Sequence, residues 1–502
     1  MLIMDDFVTK TYQKVKAAHR YEVSTLGIER IEGKKFHLIG AGGVGMSGLG
    51  QLLLKNSGVV SGSDQITSMA IDKLIRAGAD IRIGHHADHL REDADAVVIS
   101  AAITDENPEL QAAYEKGILI YKYAEMLGML CERYQTIAIA GTHGKSTTSG
   151  WLVHCLKELG ADPNFIIGAE INQLGTSSGT GKSDFFVAEA CEYDRSFLNL
   201  RPQIGCILNI EQDHLDYYKD MAEITEAFAE FALATRGGGV LVANSDDKNT
   251  SKIINQFHRT ADGGAEGYYG SIKVVTFGFG KGCVYRARRL RLKDGCYRFE
   301  VVINGQSFGS TDVRIPGRHN IYNALAVITM GSEAGLETKK IMKALPGFTG
   351  MDRRFMCKGR VNQITVLDDY AHHPTEIRAT LKAVREKHSP RRLWCVFQPH
   401  QYSRTRFLLD DFADSFKLAD ITIVPEIYFV RDTELSRRLV NAEILVERIQ
   451  NSGSDAMFIE GFDGILEHLK NEVEPEDFVI TMGAGDIWKV ADEYIRWLRE
   501  NS

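Results

Sequence analysis

The chain has 502 residues, more than one ordinary hydrophobic core can organise, so about three domains are expected. Apolar residues make up 44% and charged residues 25%, the balance of a folded water-soluble protein, and a net charge of −8 argues against a binder of duplex nucleic acid, which must neutralise phosphates with clustered Lys and Arg. No apolar run approaches the roughly 20 residues that span a bilayer, which predicts no membrane insertion. The eight cysteines (131, 155, 191, 206, 283, 296, 357 and 395) form no CxxC pair and read as buried thiols of a reducing compartment. The first residues turn polar after Met1-Leu-Ile-Met, unlike a signal peptide. A cytoplasmic location is expected.

After a polar extension over residues 1–33, Lys35-Phe-His-Leu-Ile-Gly reads as a strand running into Gly40-Ala-Gly-Gly-Val-Gly45, with a helix from about Met46 to Lys55. This is G-x-G-x-x-G in strand–helix context, and its glycines license close approach to a diphosphate without choosing between a dinucleotide and a nucleotide sugar. A second strand, Val59 to Asp64, ends in an acid where such folds bind a ribose hydroxyl; a third runs from Asp95 to Ser100. The alternation predicts a small doubly wound domain ending near residue 132. Gly84-His-His-Ala-Asp-His89 has the look of a metal cluster but lacks acid or cysteine spacing for zinc, and is expected to be a solvated loop.

Thr136-Ile-Ala-Ile-Ala-Gly-Thr-His-Gly-Lys-Ser-Thr-Thr148 is the most informative stretch: a β-branched run, a glycine-bearing loop and then helical spacing of Trp151, Leu152, Cys155, Leu156 and Leu159. Glycines let backbone N–H groups approach phosphate oxygens, the helix N-terminus adds partial positive charge, Lys145 reaches the terminal phosphates and Ser146 reaches Mg²⁺. The loop is shorter than in most P-loop proteins, because the position five before Gly144 is Ile139. Gly181-Lys182-Ser183 repeats the GKS letters inside a Gly/Ser/Thr-rich loop, Gly175 to Ser183, that precedes a strand, and no phosphate role is expected there.

Strands are predicted at Phe185–Ala188, Ile204–Ile210 and Gly239–Ala243, then a β-rich stretch at Val274–Phe277, Cys296–Val302 and Ser307–Val313, and a helix opened by Pro316-Gly-Arg-His-Asn. Glu189 closes one strand and His214 follows the next, where open α/β sheets put their ligands. Mg²⁺ prefers oxygen, so His214 reads equally as a cation ligand or as a hydrogen-bonding loop residue. From about Gly347 another α/β unit is expected, with strands Ile364–Leu367, Leu393–Gln398, Ile421–Val424 and Phe478–Thr481. Two of its strand ends carry chemistry: Leu367-Asp-Asp-Tyr-Ala-His-His-Pro-Thr-Glu376, and Phe397-Gln-Pro-His-Gln-Tyr-Ser-Arg-Thr-Arg406 with arginines suited to carboxylate or phosphate.

Together these motifs resemble the Mur ligases. The matching elements are Gly40 to Gly48, Ser61 to Asp64, Gly141 to Thr147, Glu189 to Asp194, Asn209 to His214, Pro316 to Asn323, Asp368 to Pro374 and Phe397 to His400, in the family's order. The resemblance implies an α/β protein of three domains: a Rossmann-like UDP-substrate domain (1–132, including the extension 1–33), a P-loop ATPase-like central ATP domain (133–346) and a Rossmann-like C-terminal domain for the amino acid (347–502). It implies ATP-dependent ligation of L-alanine to the lactyl carboxylate of UDP-N-acetylmuramate through an acyl phosphate, in peptidoglycan precursor synthesis. The cofactors implied are ATP and Mg²⁺, with Mn²⁺ as the other cation.

By the same resemblance Gly42 and Gly43 approach the diphosphate and Asp64 and Ser100 the nucleoside, with Ser47 also counted in the substrate site. Gly141, Thr142, Gly144, Lys145, Ser146 and Thr147 hold the ATP phosphates, and Ser146, Glu189 and His214 hold the cation, with Lys145, Glu189 and His214 catalytic. His319, Asn320 and Asn323 lie near adenine, Arg354 and Asp369 on the ATP side, and Tyr370, His372 and Arg404 near the incoming alanine, with His373 also counted in the substrate site. Closure of the third domain over ATP is expected, because water would hydrolyse an exposed acyl phosphate. Two positions depart from the family: Cys191 stands where Asp is common, and Gln401 where many members carry Arg or Thr. The alternative within the family is recycling, in which a preformed peptide replaces alanine. A nicotinamide-dependent dehydrogenase would explain Gly40 to Gly45 but not the ATP loop, and a non-catalytic nucleotide-binding regulator would not need Glu189, His214 and Asp369. Nothing in the sequence sets the oligomeric state.

Overall fold

In the computed structural model, residues 30–262, 272–430, 432 and 434–502 are described. Most of the polar extension therefore lies outside the described residues. The chain forms two compact units: Met1–Ile210 with Ile224–Tyr285 and Ala326–Ala344, and Glu211–Glu223 with Arg286–Leu325 and Leu345–Ser502.

The first unit holds two parallel sheets. Strands β1 (Lys35–Ile39), β2 (Val59–Asp64), β3 (Asp80–Ile83), β4 (Ala96–Ile99) and β5 (Leu119–Lys122) lie in the order β3-β2-β1-β4-β5. The chain builds one side from β1 to β3 and then crosses to β4, so the strand order reverses beside β1, where α/β sheets bind ligands. Helix α1 (Val44–Lys55) buries Leu49, Leu52 and Leu53, and α2 (Pro108–Lys116) starts with the Asn107 side chain accepting from the Glu109 and Leu110 amides. Ile39, Leu90, Val97, Leu110 and Ala113 form a core on one face.

The second sheet adds β6 (Gln135–Ala140), β7 (Asn164–Ile171), β8 (Thr176–Gly179), β9 (Phe185–Glu189), β10 (Ile204–Ile207), β11 (Val240–Asn244) and β12 (Lys273–Gly278), ordered β12-β11-β10-β6-β9-β7-β8. Its pairings are parallel except for β8, which runs antiparallel to β7. The order reverses between β6 and β10. Helix α3 (Lys145–Glu158) follows β6 and is almost wholly buried from Ser146 to Leu156, which fits a helix packed on a sheet.

The second unit contains, from Arg286 on, an antiparallel meander of β13 (Tyr285–Lys293), β14 (Cys296–Ile303) and β15 (Gln306–Val313), and then the start of helix α4 (His319–Glu333), whose residues from Ala326 on belong to the first unit. A six-stranded sheet comprises β16 (Met356–Val361), β17 (Ile364–Asp369), β18 (Leu393–Phe397), β19 (Ile421–Val424), β20 (Ala456–Phe458) and β21 (Phe478–Met482), ordered β16-β17-β21-β18-β19-β20. Only β16 is antiparallel to its neighbour. Apolar cores cover both faces, one around Leu381, Phe397 and Phe412 and the other around Trp394, Val479 and Ile495. Fully burying each such side chain contributes roughly 1.5–3 kcal/mol.

Several expectations are corrected. The loop expected over Gly175 to Ser183 contains β8, where Ser178 and Gly179 pair with Ile166 and Phe165. The strand expected to reach Ile210 stops at Ile207, because Leu208 and Asn209 turn back onto the loop after β6. Cys191 and Cys357 are exposed and Cys296 half-buried, so five of the eight thiols, not all, are buried. The histidine run is no simple solvated loop: His85, His86 and His89 gather around a fully buried Glu109 carboxylate.

Candidate functional site

The glycine-rich turn after β1 is held by the tip of β2. The Gly40 and Ala41 amides both donate to the Ser63 carbonyl at 2.9 Å, and the Gly42 amide donates to Asp64 Oδ2 at 2.8 Å. The acid expected at a ribose thus holds the turn itself. Ser100 packs against Gly40, where a Cβ would lie 2.6 Å from its hydroxyl. Ser47 is buried, its amide donating to the Gly43 carbonyl at 2.8 Å.

The loop after β6 is anchored where the second sheet reverses. The Thr142 amide donates to the Asn209 carbonyl at 3.0 Å and the His143 amide to Asn209 Oδ1 at 2.8 Å; Asn209 Nδ2 returns a bond to the His143 carbonyl. Gly144 caps the start of α3 at φ +84°, a left-handed conformation that favours glycine. Thr142 and Ser146 are buried, and Thr147 is half-buried.

Lys145 Nζ lies 2.6 Å from the Gly141 carbonyl, 3.1 Å from that of Thr142, and 3.0 and 2.8 Å from the two Glu192 oxygens. Four acceptors thereby crowd an ammonium with three hydrogens. Burial alone would lower the Lys145 pKa, but the carboxylate of Glu192, with Cys191 and Glu189 behind it, outweighs burial and raises it. Glu192 is delivered by a tight turn in which Asp194 and Arg195 both take left-handed conformations, φ +53° and +52°, and Arg195 is tied to Glu230 at 3.2 Å. Glu189, at the end of β9, accepts from the Gly168 amide at 2.7 Å; a Cβ at Gly168 would sit 2.9 Å from that carboxylate. Sequence reasoning missed Glu192, which lies inside a motif it singled out.

In the second unit, Asp369 closes β17 and accepts from the Phe355 and Ala371 amides at 2.7 and 2.8 Å. Burial pushes its carboxyl up to about 6 despite the opposing pull of Arg354. Arg353 and Arg354 lie over the Tyr370 ring, 5.1 and 5.0 Å from its centre, and Arg353 is fixed by Asp368 and by the Gly483 carbonyl. Arg354 also reaches Glu376 at 3.5 Å.

The His372 ring donates through Nδ1 to the Tyr370 carbonyl at 3.1 Å; burial pulls it down to about 4, so it is neutral at pH 7. His373 caps α5 (Pro374–His388), its Nδ1 accepting from the Thr375 amide while Nε2 donates to the Gln212 carbonyl at 3.1 Å. His214, at φ +53°, lies in the Glu211–Glu223 segment of this unit, whereas Ser146 and Glu189 belong to the first.

Arg404, on α6 (Tyr402–Phe407), is committed to Asp213: Nε and Nη2 lie 3.0 and 2.9 Å from Oδ1, with the two side chains 6% and 7% exposed. Burial would raise Asp213, but Arg404 and the nearby histidines hold it well below the usual carboxylate range. Asp213, His214, Asp216, Gln401, Ser403 and Arg404 line a small pocket. Asp213 is a second acid that sequence reasoning passed over. At the start of α4, Asn320 Nδ2 donates to the Pro316 carbonyl at 2.6 Å and Asn323 Nδ2 to Asn320 Oδ1 at 2.9 Å, both side chains buried.

Three family models match in succession: "Mur ligase family, catalytic domain" over residues 35–135, "Mur ligase middle domain" over 139–331 and "Mur ligase, glutamate ligase domain" over 353–485. A curated UDP-N-acetylmuramate–L-alanine ligase of Clostridium tetani is 40% identical over 464 residues, 92% of this chain and 98% of that protein. The solved UDP-N-acetylmuramate–alanine ligase of Thermotoga maritima aligns at TM-score 0.75 and 26% identity, covering 93% of this chain and all of that one. A murein peptide ligase of Psychrobacter arcticus aligns at TM-score 0.66 and 26% identity, with coverage of 93% and 99%. On the order of its sheets, its loop chemistry and these matches, the chain belongs to the Mur ligase family.

Proposed function

We propose that this chain ligates L-alanine to the lactyl carboxylate of UDP-N-acetylmuramate at the expense of ATP. The observation that carries the reading is the 40% identity, over nearly all of both chains, to a ligase named for that reaction. The Lys145 loop on the reversal point of a parallel sheet supplies the chemistry such a reaction needs.

A free carboxylate is a poor acyl donor. Its oxygen attacks the γ-phosphorus, the bond to ADP breaks, and an acyl phosphate results. In this reading Lys145 and the amides at the start of α3 hold the phosphates, with Gly141, Thr142, Gly144 and Thr147 forming the cradle. The neutral amine of L-alanine then attacks the acyl carbon, loses a proton, and inorganic phosphate departs.

The oxygen donors Ser146 and Glu189 suit Mg²⁺ or Mn²⁺. Glu189 fits the role because its carboxylate is pinned through one oxygen by the Gly168 amide. We assign these two, with His214, as the residues that would hold the cation, which when bound neutralises charge on the phosphates. The Gly42, Gly43, Ser47, Asp64 and Ser100 turn is our candidate for the UDP end of the substrate. His319, Asn320, Asn323, Arg354 and Asp369 are candidates for nucleotide contact, and Tyr370, His372, His373 and Arg404 for the amino acid. The domain limits 1–132, 133–346 and 347–502 and a cytoplasmic location belong to the same reading. Among the described residues no helix is long and apolar enough to cross a membrane.

The test is phosphate release from ATP with UDP-N-acetylmuramate, comparing L-alanine, glycine, L-serine and the L-Ala-γ-D-Glu-diaminopimelate tripeptide, with the product weighed by mass spectrometry. A product heavier by one alanine residue is expected. Preference for the tripeptide would reassign the chain to peptide recycling, and no release with any acceptor would sink the ligase reading.

A further inference from the structure

The Glu109 carboxylate is fully buried and faces groups from three other segments. His37 Nε2, on β1, lies 2.6 Å from it; the Ser63 hydroxyl, on β2, donates at 2.8 Å; and the His86 amide, after β3, donates at 3.1 Å. His85 Nδ1 sits 2.9 Å from Ser63 Oγ and 3.4 Å from Glu109, and His89 Nδ1 lies 3.7 Å from the carboxylate. Burial would raise the Glu109 carboxyl, but the bonds from His37 and Ser63 outweigh it and hold it below the usual range. A charge buried this deeply persists only when fully partnered.

Those partners lead to the glycine-rich turn. Ser63, bonded to Glu109 through its hydroxyl, uses its carbonyl to receive the Gly40 and Ala41 amides, and its neighbour Asp64 receives Gly42. The Gly84 amide donates to the Asp64 carbonyl at 2.8 Å, so the loop after β3 is fastened to the same strand tip. Strand β3 itself buries only Ile81 of its four residues, so these polar bonds supplement a thin apolar contact at this strand. One carboxylate on α2 therefore fixes the tip of β2, and the tip fixes the turn.

We propose that Glu109 is a positioning residue for the sugar-nucleotide substrate, setting the Gly40–Gly43 turn through Ser63 without touching the ligand. The proposal rests on the reading of that turn as the diphosphate site. Glu109→Gln keeps the size but turns one acceptor into a donor facing donors. In the full-length enzyme the KM for UDP-N-acetylmuramate should rise about tenfold, while kcat and the KM for ATP stay within about twofold, since a tenfold change is only ~1.4 kcal/mol. Ser63→Ala, which deletes one hydroxyl, should move the same KM in the same direction by less.

Gly43→Val separates the two claims. A Cβ at Gly43 meets nothing closer than 3.5 Å at an exposed position, so the variant is expected to fold, checked by its unfolding midpoint, while the added side chain crowds the turn. If Gly43→Val leaves binding of UDP-N-acetylmuramate intact by calorimetry, the turn is not the substrate site and the proposal falls with it. If Gly43→Val abolishes binding but folded Glu109→Gln and Ser63→Ala keep the wild-type KM, or lose all parameters in proportion to active protein, Glu109 is structural only.

Discussion

The Lys145–Glu192 pair makes a prediction whose sign is opposite to that expected of a residue that helps bind ATP. Lys145 is 13% exposed and Glu192 3%, and the carboxylate occupies two of the directions in which the ammonium can donate. If Lys145 takes the ATP phosphates as proposed, their oxygens compete with Glu192 for the ammonium. Removing one partner of a pair this buried costs on the order of 3–5 kcal/mol. Gln retains one oxygen, and Glu189 remains in the electrostatic surroundings of the ammonium, so Glu192→Gln should destabilise the nucleotide-free protein by roughly 2–3 kcal/mol. The same change removes the competitor, so ATP should bind about tenfold tighter, ~1.4 kcal/mol, with a smaller gain for ADP. Thermal unfolding without nucleotide, paired with calorimetric titration of ATP and ADP, reads both effects. Weaker ATP binding together with an unchanged unfolding midpoint would refute the reasoning, because Glu192 would then act on the nucleotide and not against it.

Lys145→Ala should abolish phosphate release while Lys182→Ala, on an exposed turn beyond β8, leaves it unchanged; equal losses in a turnover assay would overturn the choice between the two GKS sequences. Asp369 titrates at about 6 in the folded protein against an ordinary 3.8, so the fold holds that proton more tightly. Its contribution to stability is therefore full below about pH 4 and is lost as pH rises through 6. If the ionised form serves the reaction, kcat/KM should fall below pH 6 with unit slope, and Asp369→Asn should lack that limb; an identical acid limb in the variant removes Asp369 as its origin. Arg404→Met should cost on the order of 3–5 kcal/mol by stranding Asp213. Adding Asp213→Asn should recover part of that loss, and additive losses in a denaturant series would show that the two side chains do not act as a pair.

Local chemistry explains which parts of this fold the sequence announced. Strands β1, β2 and β19 are legible because each is a run of buried residues ended by glycine, acid or proline. Strand β5 escapes because four residues with one clearly buried side chain leave no pattern to count. Strand β13 escapes for another reason: Tyr285-Arg-Ala-Arg-Arg-Leu-Arg-Leu-Lys buries only Tyr285 and Ala287 and is otherwise rich in long cations, and so reads as surface. The motifs located Lys145, Glu189, Asp369 and Arg404, but not their partners. Glu192 and Asp213 stand beside residues already noted, and only folding brings Glu192 to Lys145 and Asp213 to Arg404. Glu109 was invisible because an acid in the first turn of a helix is ordinary; its burial beneath β1 and β2 is a tertiary fact.

The successive left-handed residues Asp194 and Arg195 give the turn behind Glu192 an unusual mutational profile. Glycine at either position would relax the backbone, and by that measure alone it is the more stable choice by up to about 1 kcal/mol per residue. It would also widen the range of conformations open to the turn, and with it the range of places Glu192 can reach. Selection for thermal tolerance and selection for a well-aimed carboxylate thus pull these two codons in opposite directions. A library sorted first by melting point and then by nucleotide affinity should enrich glycine in the first sort and lose it in the second.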